Sequence, residues 1–232
     1  LVGSEMCIRD RKYDMAASAA KEVMDLGVYS LYGNYGDLFS AEHENNSEVI
    51  FDHQYMENAL DYDYTGSWID QFFSPLMMGG WEALSPTLDL IDSYECMDGK
   101  SIQDSKLYNP DKPFENRDPR LAYSILWHGC EFGGQIYSTE GAMGNGNATR
   151  TGYTMRKYIN PKNVGNEYPG WTNYILFRYA EILLIYAEAQ NELNGPDASV
   201  YDAVNNIRQR PSVELPPLPA SLTKDQMRDA IR

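Results

Sequence analysis

The stretch FRYAEILLIYAEAQNELNG, residues 177–195, carries helical spacing from end to end. Apolar side chains fall at Ile175, Tyr179, Ile182, Leu183, Tyr186 and Leu193, positions that share one side of a helix, so one face of the segment is built for burial. Ala180, Ala187 and Ala189 are small, which lets a neighbouring backbone approach closely. Asn194-Gly195 tolerates the left-handed conformation at a helix end, and Pro196 blocks continuation. A second helix follows at once, with Asp197 as N-cap and Val200, Val204 and Ile207 on one face. Two amphipathic helices joined by so short a turn form an antiparallel hairpin, the unit of helical-repeat proteins.

Working outward, Tyr13 to Leu26 predicts another helix, with Ala17, Ala20, Val23 and Met24 at helical spacing and Gly27 placed to end it. From Asp52 to Trp81 the periodicity is lost. That segment interleaves Tyr55, Tyr62, Tyr64, Trp68, Phe72, Phe73 and Trp81 with Asp, Asn, Gln and Gly, and reads as a long irregular excursion of the kind that usually carries function. Pro86-Thr87 opens a short helix and Asp98-Gly99 makes a turn. Ala122 to Trp127 is read as a strand, and residues 129–160, rich in Gly, Asn, Thr and Tyr, as loops and short strands. Thr223-Lys224-Asp225-Gln226 has the form of a capping box opening a last helix.

The chain has 232 residues, with 19 Lys and Arg against 34 Asp and Glu, a net charge of −15. Such acidity disfavours nucleic acid, whose phosphates need clustered cations, and disfavours docking by charge onto anionic lipid. The 18 Tyr and 4 Trp suit a protein core and a sugar-binding surface equally. No apolar run is long enough to span a bilayer. Cys96 and Cys130 do not make a disulfide framework, and whether they pair is left open. Neither they nor His43, His53 and His128 are spaced as a zinc site, and no cofactor is implied.

Several motifs occur in one order: Tyr29-Ser30-Leu31, Asp37-Leu38-Phe39, Asn46-Ser47-Glu48-Val49-Ile50-Phe51, Pro86-Thr87, Asn116-Arg117-Asp118-Pro119-Arg120-Leu121, Thr151-Gly152-Tyr153, Phe177-Arg178-Tyr179-Ala180-Glu181-Ile182-Leu183-Leu184 and Asn205-Asn206-Ile207-Arg208. From about Tyr13 to the end the chain thereby resembles the SusD/RagB family of surface lipoproteins. The resemblance implies a mainly α fold: a scaffold of tetratricopeptide-like helical hairpins with a long loop-rich region and a few short strands. On it, residues 12–232 are a partial SusD-like domain, with 12–51 and 174–232 as scaffold and 52–173 as the loop-rich ligand side. Residues 1–11, LVGSEMCIRDR, look unlike the rest and resemble a translated sequencing-adaptor scar, so they are set aside from the fold. Arg232 lies inside the last predicted helix, and the chain is read as an internal fragment whose export signal is missing.

The resemblance further implies non-catalytic binding of an oligosaccharide at the outer face of the outer membrane. A lipid anchor absent from this piece would provide the only membrane attachment, and a TonB-dependent, SusC-like transporter would receive the cargo. Sugar binding needs flat aromatic faces for the ring and fixed polar groups for the hydroxyls. The excursion offers Tyr62, Tyr64, Trp68 and Trp81, with Asp61 and Asp63 as the polar candidates and Asn58, Asp70 and Gln71 nearby. The alternative is that these rings pack the excursion onto the helices, most of all Trp81, which lies close to Pro86-Thr87. Trp127 reads as core, His128 as structural, Trp171 is undecided, and Arg178–Glu181 and Arg117–Asp118–Arg120 read as structural pairs.

Other classes stay in view. A peptide-binding relative of the same family, or a helical-repeat interaction module with no small ligand, would share the scaffold. A glycosidase needs two carboxylates flanking the scissile bond, and nothing among 34 acids singles out a pair. There is no GxSxG elbow, HExxH or GxxxxGK[ST] loop, and Asp61 and Asp63 lack the Gly and Glu of a calcium loop.

Overall fold

The computed structural model describes residues 2–57, 65–139, 149–163 and 169–232. Along them run α1 (Val2–Arg9), α2 (Tyr13–Asp25), β1 (Val49–His53), α3 (Ile69–Phe73), α4 (Leu88–Ser93), α5 (Pro119–Ser124), β2 (Ile125–Trp127), β3 (Glu131–Phe132), β4 (Gln135–Ile136), β5 (Tyr153–Met155), β6 (Tyr174–Arg178), α6 (Tyr179–Asn194), α7 (Ala198–Arg208) and α8 (Lys224–Ile231). The fold is mainly helical. Its short strands occur in pairs: β1 with β6, β2 with β5 and β3 with β4. The chain divides into two units, one of residues 1–33, 45–51 and 176–232, the other of residues 34–44 and 52–175.

The first unit is the helical one. α6 buries Ala180, Ile182, Leu183, Ile185, Tyr186, Ala187 and Ala189. They pack with Ala20 of α2, with Val200, Ala203, Val204 and Ile207 of α7, and with Met227 of α8. Each large aliphatic side chain so buried contributes roughly 1.5–3 kcal/mol. Close packing of α2 on α6 depends on small residues, since Ala16 and Ala17 meet Ala189. The hairpin turn forms as predicted. Gly195 adopts φ +81 and its N–H bonds to the Asn191 carbonyl at 2.8 Å. Asp197 then caps α7 by accepting from the N–H groups of Ser199 and Val200. Thr223 and Gln226 complete the capping box of α8.

Two expectations change in this unit. Phe177 and Arg178 belong to strand β6, not to the helix, because the backbone is extended at Arg178 (φ −137, ψ 157). The Tyr179 N–H bonds to the Glu48 carbonyl, so the helix begins only there. Leu193 is 44% exposed, one residue from the end of α6 where few neighbours cover it. Within the segment set aside from the fold, α1 forms over Val2–Arg9, and its Cys7 and Ile8 lie against the Ala16–Ala17–Ala189 contact.

Glu48 ties this unit together. Its side chain is fully buried and accepts from Arg178 Nη1 (2.8 Å), Arg210 Nη2 (3.0 Å) and the Tyr32 N–H (2.8 Å). Removing one partner of such a group strands a charge away from water, at a cost of about 3–5 kcal/mol.

The second unit is loop-rich. Thr87 caps α4 as expected. The predicted strand over Ala122–Trp127 is half helix, because Asp118 caps and Pro119 opens α5, and only Ile125–Trp127 is extended, pairing antiparallel with Tyr153–Met155. Arg117 pins the loops by donating to the carbonyls of Ile91, Tyr94 and Pro113. Met78, Leu126, Phe132, Tyr137 and Ile159 form the buried cluster. Cys96 and Cys130 are free thiols, and burial pushes the Cys130 thiol up.

Candidate functional site

The excursion is held at several points within its own unit. At its start, buried Asn173 accepts from the Tyr55 N–H at 2.8 Å and donates to Asp52 at 3.3 Å. Ser67 and Gly170 exchange two backbone hydrogen bonds of 2.6 and 2.9 Å, and a Cβ at Gly170 would meet the Asp70 carboxylate. Asp70 was a candidate polar contact for ligand. It is instead a buried anchor, 1% exposed, accepting from the Asn160 N–H (2.8 Å) and Asn163 Nδ2 (3.0 Å).

This anchoring presents α3 with its rings outward. Trp68 precedes the helix and Phe72 follows four residues later, its N–H bonded to the Trp68 carbonyl at 2.9 Å. Four residues is about one turn, so both rings lie on one face. Their centroids are 5.6 Å apart and the planes are stacked within 29°.

A tight return brings in the third ring. Leu76–Met78 forms a 3-10 turn ending at Gly79, where φ is +113. Gly80 passes so close to the Ser74 backbone that a Cβ would collide with its carbonyl oxygen. The chain then runs back along α3, with the Trp81 N–H on the Gln71 carbonyl (2.8 Å) and the Ala83 N–H on the Phe72 carbonyl (2.8 Å). Trp81 meets Phe72 edge-on at 4.9 Å and Trp68 at 6.4 Å.

The return is locked from below by Glu82. It sits at φ +48, a conformation unfavourable for a side chain of this type. Only 5% exposed, it accepts from the Leu76 N–H at 3.1 Å and from the Tyr137 hydroxyl. Burial, reinforced by this carboxylate, pushes the Tyr137 phenol well above its usual range, so it stays a donor.

The result is an open aromatic surface. Trp68, Phe72 and Trp81 are 41%, 36% and 53% exposed, so three adjoining large rings each keep a third to a half of their surface in water, where single scattered ones would need no explanation. Of the sequence candidates, Trp68 and Trp81 are brought together. Tyr62, Tyr64, Asp61 and Asp63 lie outside the described residues, as does Asn58. Phe72 joins the cluster and was not among the candidates; its spacing from Trp68 was the available signal. Trp127 stacks on Phe114 at 4.2 Å and Trp171 is half-buried. His128 is exposed and accepts from the Thr139 N–H. No cluster of metal ligands occurs among the described residues.

Comparison with known proteins gives a consistent result. The model of the SusD family matches residues 47–232. A SusD-like protein of Formosa agariphila is 23% identical over 227 residues, covering 90% of this chain and 40% of that protein. A crystal structure of a SusD-like carbohydrate-binding protein from Bacteroides fragilis superposes with a TM-score of 0.85 at 31% identity, over 98% of this chain and 46% of that one. The surface glycan-binding protein A of Bacteroides thetaiotaomicron, solved in complex with laminarihexaose, shares the fold at 17% identity and a TM-score of 0.65, over 97% of this chain and 48% of that one. The chain thus spans less than half the length of these relatives.

Proposed function

This chain belongs to the SusD family, and we propose that it is a non-catalytic binding protein whose Trp68–Phe72–Trp81 surface captures an oligosaccharide. The observation that carries the reading is that surface: three contiguous exposed rings, fixed by buried polar anchors, on a fold shared with a solved carbohydrate-binding protein. Stacked rings offer a flat apolar face to the C–H side of a pyranose, and they are already ordered, so little entropy is lost on binding. Tyr62, Tyr64, Asp61 and Asp63, which precede α3 in the sequence, stay in the proposal as further rings and hydroxyl acceptors by residue type.

The capture step serves uptake. By family resemblance, a lipid-anchored protein at the outer face of the outer membrane hands the glycan to a SusC-like, TonB-dependent transporter. No helix among the described residues is long and apolar enough to cross a membrane. Affinity electrophoresis through gels containing a panel of polysaccharides tests the capture step. At least one polysaccharide is expected to retard the protein, and Trp68→Ala, with unchanged circular dichroism, to bind it about tenfold more weakly, a loss of about 1.4 kcal/mol. Equal retardation of both proteins would show that the rings are not the site.

A further inference from the structure

The aromatic surface is built without cations. Residues 22–99 contain neither Lys nor Arg, although an even spread of the 19 in the chain would put about six there. The same stretch holds 16 of the 34 Asp and Glu, ten of them between residues 52 and 99, the part that forms the rings and their turn. Glu82, next to Trp81, is a buried carboxylate whose partners are neutral donors, the Leu76 N–H and the Tyr137 hydroxyl. Glu57 and Asp89 are exposed on the same stretch.

A carboxylate or sulfate drawn out of water against these rings would need a cation or several strong donors to replace its hydration. It would instead meet a stretch rich in carboxylates, with the Glu82 side chain buried next to Trp81. Cations reach this stretch from elsewhere in the unit. Buried Arg117 spends its guanidinium on the Ile91, Tyr94 and Pro113 carbonyls, and Lys157 lies over the Tyr35 and Phe39 rings. The Arg150 N–H bonds to Ser85 Oγ at 3.1 Å, with an exposed side chain. Lys162 follows the Asn160 anchor, and its ammonium is paired with Glu42 at 2.5 Å.

We propose that the Trp68–Phe72–Trp81 surface selects uncharged glycans and rejects sulfated or uronate-rich ones, because the stretch that builds it is rich in carboxylates and carries no Lys or Arg. This rests on the glycan-binding reading above and narrows its ligand class.

The test uses the whole protein and pairs of probes: a neutral β-glucan, galactomannan, xyloglucan and starch, each beside its partly carboxymethylated form. Binding is followed by calorimetry at about 20 mM and about 500 mM NaCl, where screening lengths differ several-fold. The expected result is that a neutral polymer binds with an affinity that changes less than about twofold with salt. Its carboxymethylated form binds about tenfold more weakly at low salt and recovers at high salt. In the double variant Glu57→Gln, Asp89→Asn, at two exposed carboxylates of the stretch, the low-salt penalty shrinks while neutral binding holds. A carboxymethylated polymer that binds as well as or better than its parent overturns the proposal, and Arg150→Gln then tells whether that cation is responsible. A penalty that salt does not relieve is steric and also overturns it. Binding by none of the polymers sinks the glycan reading itself, and this proposal with it.

Discussion

Gly80 is where one residue controls the site. The atom that an alanine would add runs into the Ser74 carbonyl oxygen, which is backbone and cannot swing away. The turn would have to open, and the Trp81–Gln71 and Ala83–Phe72 hydrogen bonds would stretch with it. Gly80→Ala is therefore expected to cost about 1–3 kcal/mol and to weaken glycan binding by displacing Trp81. Gly33→Ala, with open space around it, should leave both unchanged in denaturant melts and binding assays. Equal behaviour of the two variants would count against the role given to the turn. At this scale the sequence was partly legible. Trp68 and Phe72 fall one helical turn apart, which a reader can see. The approach of Trp81 depends on a positive-φ turn and on Glu82 reaching Tyr137, 55 residues away, and no local pattern encodes such a contact.

The helical hairpin shows what the elements themselves specify. Gly195, Asp197 and the Thr223–Gln226 box act through contacts within a few residues, which is why they could be read directly. Where a long-range partner intervened, the local reading slipped. Pairing of β6 with β1 took Phe177 and Arg178 out of the helix, and Asp118-Pro119 started α5, which runs into the stretch read as a strand. Asp197→Ala should cost about 1 kcal/mol, measured by chemical denaturation.

The hairpin's response to acid follows from the same groups. Ser199 Oγ on Oδ1, aided by Gln190 on Oδ2, holds the Asp197 carboxyl below its usual range. Arg228, aided by Lys224, does the same for Glu192. A depressed carboxyl pKa means the folded state binds its proton less readily than the unfolded chain. These contacts therefore stabilise fully above the unfolded values, about 3.9 for Asp and 4.3 for Glu, and the stabilisation is lost as pH falls through the lower folded values. Denaturation midpoints should be level above about pH 5 and fall below it, with a shallower fall in Asp197→Asn. An identical acid profile in that variant would exclude Asp197 as a contributor.

At the scale of the molecule, two units have different characters. One is a helical scaffold whose apolar faces are matched and whose buried Glu48 is met by Arg178 and Arg210. The other spends its polar side chains on holding loops, and leaves three large rings in water. These rings adjoin one another and are partly exposed, whereas Leu126 and Phe132 of the same unit are buried. The central claim is that they are kept exposed to hold sugar. Its most direct test is calorimetric titration of a polysaccharide that the protein binds into the triple variant Trp68→Ala, Phe72→Ala, Trp81→Ala, with circular dichroism and melting point recorded alongside. The account predicts that the heat of binding disappears while the fold and the melting point are kept, because the rings contribute little to the core. Binding retained at full affinity by the folded variant would contradict it.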